Sequence, residues 1–136
     1  MSRSLVCLCV LLLLGSSEGS YGFSPQVPKP VNMAEDLIGS WDVSLFYSRD
    51  KPPSKTEMVV EKIKDGALVG TFYGTPFDAG RVTYRQGKVI FTVITSDGSG
   101  QYVTSGRLDA TGLIDGQTLS VGRDFLMAWQ AKKIDR

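Results

Sequence analysis

Four of the five tyrosines and both tryptophans hold most of the chemistry open to this chain: Tyr47, Tyr73, Tyr84, Tyr102, Trp41 and Trp129. Their separations would place phenols on four different strands, where a few convergent hydroxyls and indole walls suit a small-ligand cavity. The plainer reading is of strand-favouring aromatics with hydroxyls at a rim and tryptophans in the core. Other chemistry is curtailed by what is missing. The 136 residues contain no histidine, and the two cysteines are Cys7 and Cys9, inside an N-terminal segment that reads as removable. Ser-His-Asp and Cys-His catalysis and His-ligated zinc or copper are therefore excluded. A carboxylate such as Glu57, Glu61 or Asp124 could act as a general base only if an apolar interior raised its pKa. Glu57 and Glu61 flank Val59 on the face opposite Met58 and Val60, which predicts that they are solvated. No catalytic residue is assigned. Asp97-Gly-Ser-Gly100 and the Asp109 to Gly116 stretch lack the dense oxygen alternation of a calcium loop and read as turns, so neither metal nor cofactor is expected.

The elements that must position these aromatics are short and regular. Segments rich in Val, Ile, Thr, Tyr and Phe alternate with turn residues, a pattern of all-β barrels and sandwiches. The spacing predicts strands over Ser40–Ser48, Thr56–Lys64, Ala67–Tyr73, Arg81–Arg85, Lys88–Thr95, Gln101–Asp109, Leu113–Val121 and Phe125–Lys133. Turn signals such as Asp65-Gly66 and Gln86-Gly87 supply the positive backbone angles of tight hairpins. The predicted fold is all-β, an up-and-down antiparallel eight-stranded barrel, with an open sandwich as the alternative; closure removes exposed edges and leaves room for side chains or one small ligand. Alternation puts Trp41, Val43 and Leu45 inward, and Val82 and Tyr84 likewise. Small inward residues at Gly70, Thr71, Thr104 and Gly106 favour a hollow interior, whereas large ones would fill it. KVIFTVIT and FLMAW are apolar on both faces, which points to a homo-oligomer.

Residues 1–22 have the layout of a secretory signal peptide: Arg3, the apolar run Leu5 to Leu14, then small residues. That run is too short for a spanning helix, which needs about 20 residues, so no membrane role is expected after its removal. Residues 23–36, with three prolines, read as an extended leader, and 37–136 as the barrel domain. Removing 1–22 takes away Arg3 and Glu18, one charge of each sign, so the balance stays at +1. Such a surface gives no electrostatic reason to expect nucleic acid. Secretion is the expected destination. The alternative is a plastid reached by a bipartite signal, suggested by Phe23 behind the signal, although Lys29 is the leader's only basic residue.

Leu37-Ile-Gly39-Ser-Trp41 at one end and Ala128-Trp129-Gln-Ala-Lys-Lys133-Ile at the other resemble the two ends of a calycin-type barrel, the group containing lipocalins and avidins. The resemblance implies a basic residue of the last strand, Lys132 or Lys133, packed over Trp41. Gly66-Ala-Leu-Val-Gly70-Thr71-Phe72-Tyr73 and Trp129-Gln-Ala131 are similar to avidin segments, and the chain also resembles lipocalin-like domains appended to bacterial amidohydrolases. Where avidins hold their ligand with an asparagine, a serine and a hairpin tyrosine, this chain has Val43, Tyr47 and Phe72, so biotin is not the expected ligand.

Three functions follow for comparison. The first is a secreted, non-enzymatic barrel binding a small apolar ligand through Tyr47, Tyr73, Tyr84, Tyr102 and Trp129, or binding a protein partner. The second is a cyclase or isomerase similar to allene oxide cyclase, shaping an apolar substrate in a dry cavity. The third is a structural interaction module with a filled interior.

Overall fold

The computed structural model describes residues 34–135; the signal-peptide reading and residues 23–33 of the leader lie outside them. A 3-10 turn, η1 (Ala34–Leu37), precedes β1 (Gly39–Phe46), β2 (Ser54–Lys64), β3 (Ala67–Phe72), β4 (Thr75–Pro76), β5 (Ala79–Arg85), β6 (Lys88–Asp97), β7 (Gly100–Leu108), β8 (Leu113–Ser120) and β9 (Phe125–Lys133). All pairings are antiparallel. Setting aside the two-residue β4, each strand neighbours the next and β9 returns to β1, so eight strands close into an up-and-down barrel. The sheet has no open side, and the sandwich alternative is set aside.

Closure is uneven around the circumference. β1 and β9 pair over six residues, from Trp41 opposite Lys133 to Phe46 opposite Ala128. Between β3 and β5 there is one bridging pair, Ala67 opposite Arg81, with Val82 N–H donating to the Gly66 carbonyl at 3.0 Å. Phe77 fills the space there: it packs against the core, and its backbone N–H donates to the Gly70 carbonyl at 2.9 Å. This apolar loop residue tucks back onto the barrel and is not a free lid.

Inward side chains form cross-strand rows through β1, β9, β8, β7 and β6. The first row is Val43, Ala131, Ile114, Leu108 and Val89; the second is Leu45, Trp129, Gly116, Gly106 and Phe91. The glycines of the second row make room for its rings. A Cβ on Gly116 would lie 2.1 Å from the Trp129 indole, and one on Gly106 would lie 2.6 Å from Phe91. The two rings thus close over a backbone that carries no side chain, and Trp129 also meets Phe72 with centroids 5.4 Å apart. Each large apolar side chain buried here contributes roughly 1.5–3 kcal/mol. Gly106 is therefore small because the Phe91 ring occupies its space, and Gly70 because the Val59 carbonyl oxygen would lie 2.0 Å from a Cβ, with the Phe77 ring next at 2.9 Å; neither leaves a void. Thr71 alternates with the buried Gly70 and Phe72 and faces outward, so it does not contribute to a cavity.

One end of the barrel is sealed. Leu37 of η1 is buried under the first row, and Trp41 Nε1 donates to the Leu37 carbonyl at 2.8 Å. Lys133, the candidate that register selects over Lys132, holds its Nζ 5.4 Å from the centre of the Trp41 ring and donates to the Asp36 carbonyl at 2.9 Å. The strand-end bond from Ile134 N–H to the Ser40 carbonyl completes this lock between the first and last strands. Residues 34–36, the end of the proline-rich leader in the sequence reading, are thereby tied to the barrel.

Candidate functional site

Beyond the Trp129 and Phe91 rings, the inward residues change character. The third row is Met127, Thr118, Thr104 and Val93, and the fourth is Phe125, Ser120, Tyr102 and Thr95. Threonine keeps the branched shape that strands favour, but it presents less apolar bulk than isoleucine or phenylalanine and adds a hydroxyl. The upper barrel consequently stays hollow. A cavity of about 270 Å³ opens at this end, walled by Leu45, Phe72, Phe125 and Met127 and by Thr95, Thr104 and Thr118, with Tyr47, Tyr73, Thr75, Asp97, Tyr102 and Arg123 around its mouth. The three wall threonines are buried, and the Thr104 and Thr118 hydroxyls hydrogen-bond to one another at 3.0 Å. That bond uses one of their two protons, leaving the other hydroxyl a donor.

The mouth holds an ordered polar chain. Asp97 closes the β6–β7 hairpin by accepting two hydrogen bonds at one carboxylate oxygen, from Ser99 N–H at 2.7 Å and Ser99 Oγ at 2.6 Å. The Ser99 proton is thus engaged, so in its 2.5 Å contact with Tyr102 the tyrosine donates. Arg123 Nη2 also donates to Ser99 Oγ, at 3.3 Å. The Ser99 hydroxyl holds the Asp97 carboxyl below the usual carboxylate range, assisted by the Ser99 backbone N–H, Tyr102 and the Arg123 charge. Tyr47 shifts the opposite way. Partial burial pushes its phenol up, Tyr73 and Tyr102 add to the rise, and Arg123 opposes it.

Tyr73 reaches the mouth through an unusual backbone. It pairs with Gly74 in the two-residue turn between β3 and β4, with φ of 55° and 74°. Such turns favour Asn, Asp or Gly at both central positions; at the barrel's other end Asp65-Gly66 follows that preference, with φ of 51° and 74°, whereas Gln86-Gly87 departs from it, with φ of 50° and 75°. A bulky residue in the left-handed region is an outlier. Its position here sets a phenol, 63% exposed, over the cavity.

Of the five sequence-assigned site residues, Tyr47, Tyr73 and Tyr102 meet at the mouth. Trp129 lies beneath, buried against Phe72 and Phe91, and is not part of the cavity lining. Its Nε1 and Ser120 Oγ are buried without a partner among the described residues. Tyr84 is half exposed and pairs with Val89 in the first row, toward the sealed end. The sequence reading missed Arg123, Thr95, Thr118 and the apolar pair Phe125 and Met127. The two threonines had a usable signal, since each follows an inward apolar residue at strand spacing: Val93 before Thr95, and Gly116 before Thr118. Arg123 carried none, because it sits in a turn whose position over the mouth depends on how two distant hairpins meet.

Glu57 and Glu61 are exposed on β2, one on either side of the stretch from Met58 to Val60, whose Met58 and Val60 are buried. Asp97-Gly-Ser-Gly100 is a turn built on its own aspartate, as is Asp109, which accepts from Thr111 N–H at 2.9 Å. No group of three or more Cys, Asp or Glu among the described residues is placed to hold a metal. Comparisons with protein-family models, curated proteins and solved structures find no match to this chain.

Proposed function

We propose that this protein is a calycin-like barrel that holds a small, largely apolar molecule in the cavity at its open end. The carrying observation is the asymmetry of the interior: apolar side chains and two rings fill the sealed half, whereas threonines and a ring of tyrosines line the open half. A purely structural barrel has no need of a hollow end rimmed by Tyr47, Tyr73 and Tyr102. The Lys133–Trp41 lock supports kinship with the lipocalin and avidin type of barrel. Holding is favoured over cyclase or isomerase chemistry by the state of the one carboxylate at the cavity. Asp97 accepts two hydrogen bonds from Ser99 at one oxygen and is held in its charged form, which makes it a weak base.

Native mass spectrometry of the protein purified from its source tests this reading. A small molecule that co-purifies and leaves on denaturation is the expected result; repeated preparations free of any ligand would overturn it. Secretion is proposed from residues 1–22, with a plastid as the alternative, and N-terminal sequencing of the mature chain distinguishes the two. A homo-oligomer is proposed from the outer face, where Ile94, Val103, Leu119 and Leu126 form one apolar cross-strand row, Leu126 being 63% exposed. Light scattering on the mature protein should then give a mass of at least two chains.

A further inference from the structure

The polar groups around the mouth are not balanced between donors and acceptors, and the imbalance describes the ligand. Asp97 is the only carboxylate among the cavity residues, and one of its oxygens already accepts two bonds from Ser99. Tyr102 and Arg123 each donate once, to the same Ser99 hydroxyl, which the Asp97 bond orients. What remains is a surplus of donors. The Tyr47 and Tyr73 hydroxyls make no hydrogen bond among the described residues, and the guanidinium, with five N–H groups, keeps four beyond its 3.3 Å contact with Ser99. Arg123 forms no ion pair among the described residues. Its planar fork suits a carboxylate, which it can grip with two parallel bonds. One cation beside the fixed negative charge of Asp97 suits a single anionic charge better than a doubly charged phosphate. Immediately below lie Leu45, Phe72, Phe125 and Met127, so an anionic head at the mouth would have an apolar body beneath it. The left-handed backbone of Tyr73, adverse for a bulky residue, is what sets its phenol at this rim.

We propose that the ligand is a small monocarboxylic acid, its carboxylate held by Arg123 with the Tyr47 and Tyr73 hydroxyls, and its compact apolar body in the cavity beneath. The proposal rests on the reading of this cavity as a ligand site. Two probes of nearly equal shape separate the claims: 1-naphthylacetate and its uncharged amide, 1-naphthylacetamide. Each is titrated into wild-type protein and into Arg123→Gln, with naphthalene fluorescence for affinity and the methyl resonances of Thr104 and Thr118 for location. Circular dichroism establishes that the variant, changed in an exposed turn, keeps the fold. The expected result is acid bound about tenfold or more tightly than amide by the wild type, both shifting the threonine methyls. In Arg123→Gln the acid should weaken to the level of the amide, and the amide should keep its wild-type affinity. Equal wild-type affinities, or equal weakening of both probes in the variant, would overturn the carboxylate assignment while leaving the cavity as a ligand site. Failure of both probes to shift the threonine methyls would overturn the assignment and the ligand-site reading together.

Discussion

The two ends of this barrel are built from the same strands with opposite results. Along β6 the inward residues run Val89, Phe91, Val93, Thr95; along β8 they run Ile114, Gly116, Thr118, Ser120. These two strands run the same way, and β7, antiparallel between them, runs Tyr102, Thr104, Gly106, Leu108, so all three are apolar toward one end of the interior and carry hydroxyls at the other. The sealed end therefore gains stability from burial, from the Trp41–Leu37 hydrogen bond and from Lys133 over Trp41. The open end forgoes part of that burial and holds phenols, a guanidinium and a space. Dense packing and open space thus fall to separate halves of one sheet, and if the open half holds a ligand as proposed, substitutions should divide accordingly between stability and binding.

The sharpest contrast lies between two neighbouring residues of β9. Trp129→Ala removes the ring that covers Gly116, where the second row cannot collapse, and should cost about 3–5 kcal/mol. Met127→Ala, two residues nearer the mouth, enlarges a space that already exists and should cost about 2 kcal/mol. Urea unfolding of both variants measures the difference; equal losses would mean that the two halves are packed alike. At the sealed end, Lys133→Ala removes the cation over the indole and the bond to the Asp36 carbonyl, with an expected loss of about 0.5–2 kcal/mol and no change in affinity for naphthalene probes. A change in affinity would show that the lock and the cavity are coupled.

Tyr73→Asn should move the two properties in opposite directions. Asparagine tolerates the left-handed backbone of this turn, so stability should rise by up to about 1 kcal/mol while probe affinity falls with the lost phenol. Thermal melting and the naphthylacetate titration read both signs. Smallest is the effect of pH. Tyr47 has a raised folded pKa, so the folded state holds its proton more firmly than the unfolded chain does. Its contribution to stability is present below the ordinary phenol pKa and is lost as pH rises through the folded value. Spectrophotometric titration should contain a phenol component above the ordinary range that Tyr47→Phe removes.

Much of the scaffold was legible in residue order because a strand's pattern is local. Alternation placed Trp41, Val43 and Leu45 inward, and the turn pairs Asp65-Gly66 and Gln86-Gly87 marked hairpins where they occur. The eight predicted segments match the eight barrel strands within two residues at their ends, apart from η1 and the short β4. The site was legible only in part. Tyr47 could be placed toward an opening by counting from Trp41 along one strand, but Tyr84 has the same inward parity and lies near the sealed end.

The sequence by itself determined strand count, hairpin positions, inward parity and the choice of side chains that could lock the first strand to the last, since each depends on residues near one another in the chain. Only the tertiary structure decided which half is hollow, because Gly106 and Gly116 are filled or empty according to rings on adjacent strands. It also brought Tyr47, Tyr73, Tyr102 and Arg123 to one rim. These residues come from four separate parts of the chain, and their meeting depends on barrel closure and on the stagger of strands, which no local pattern records.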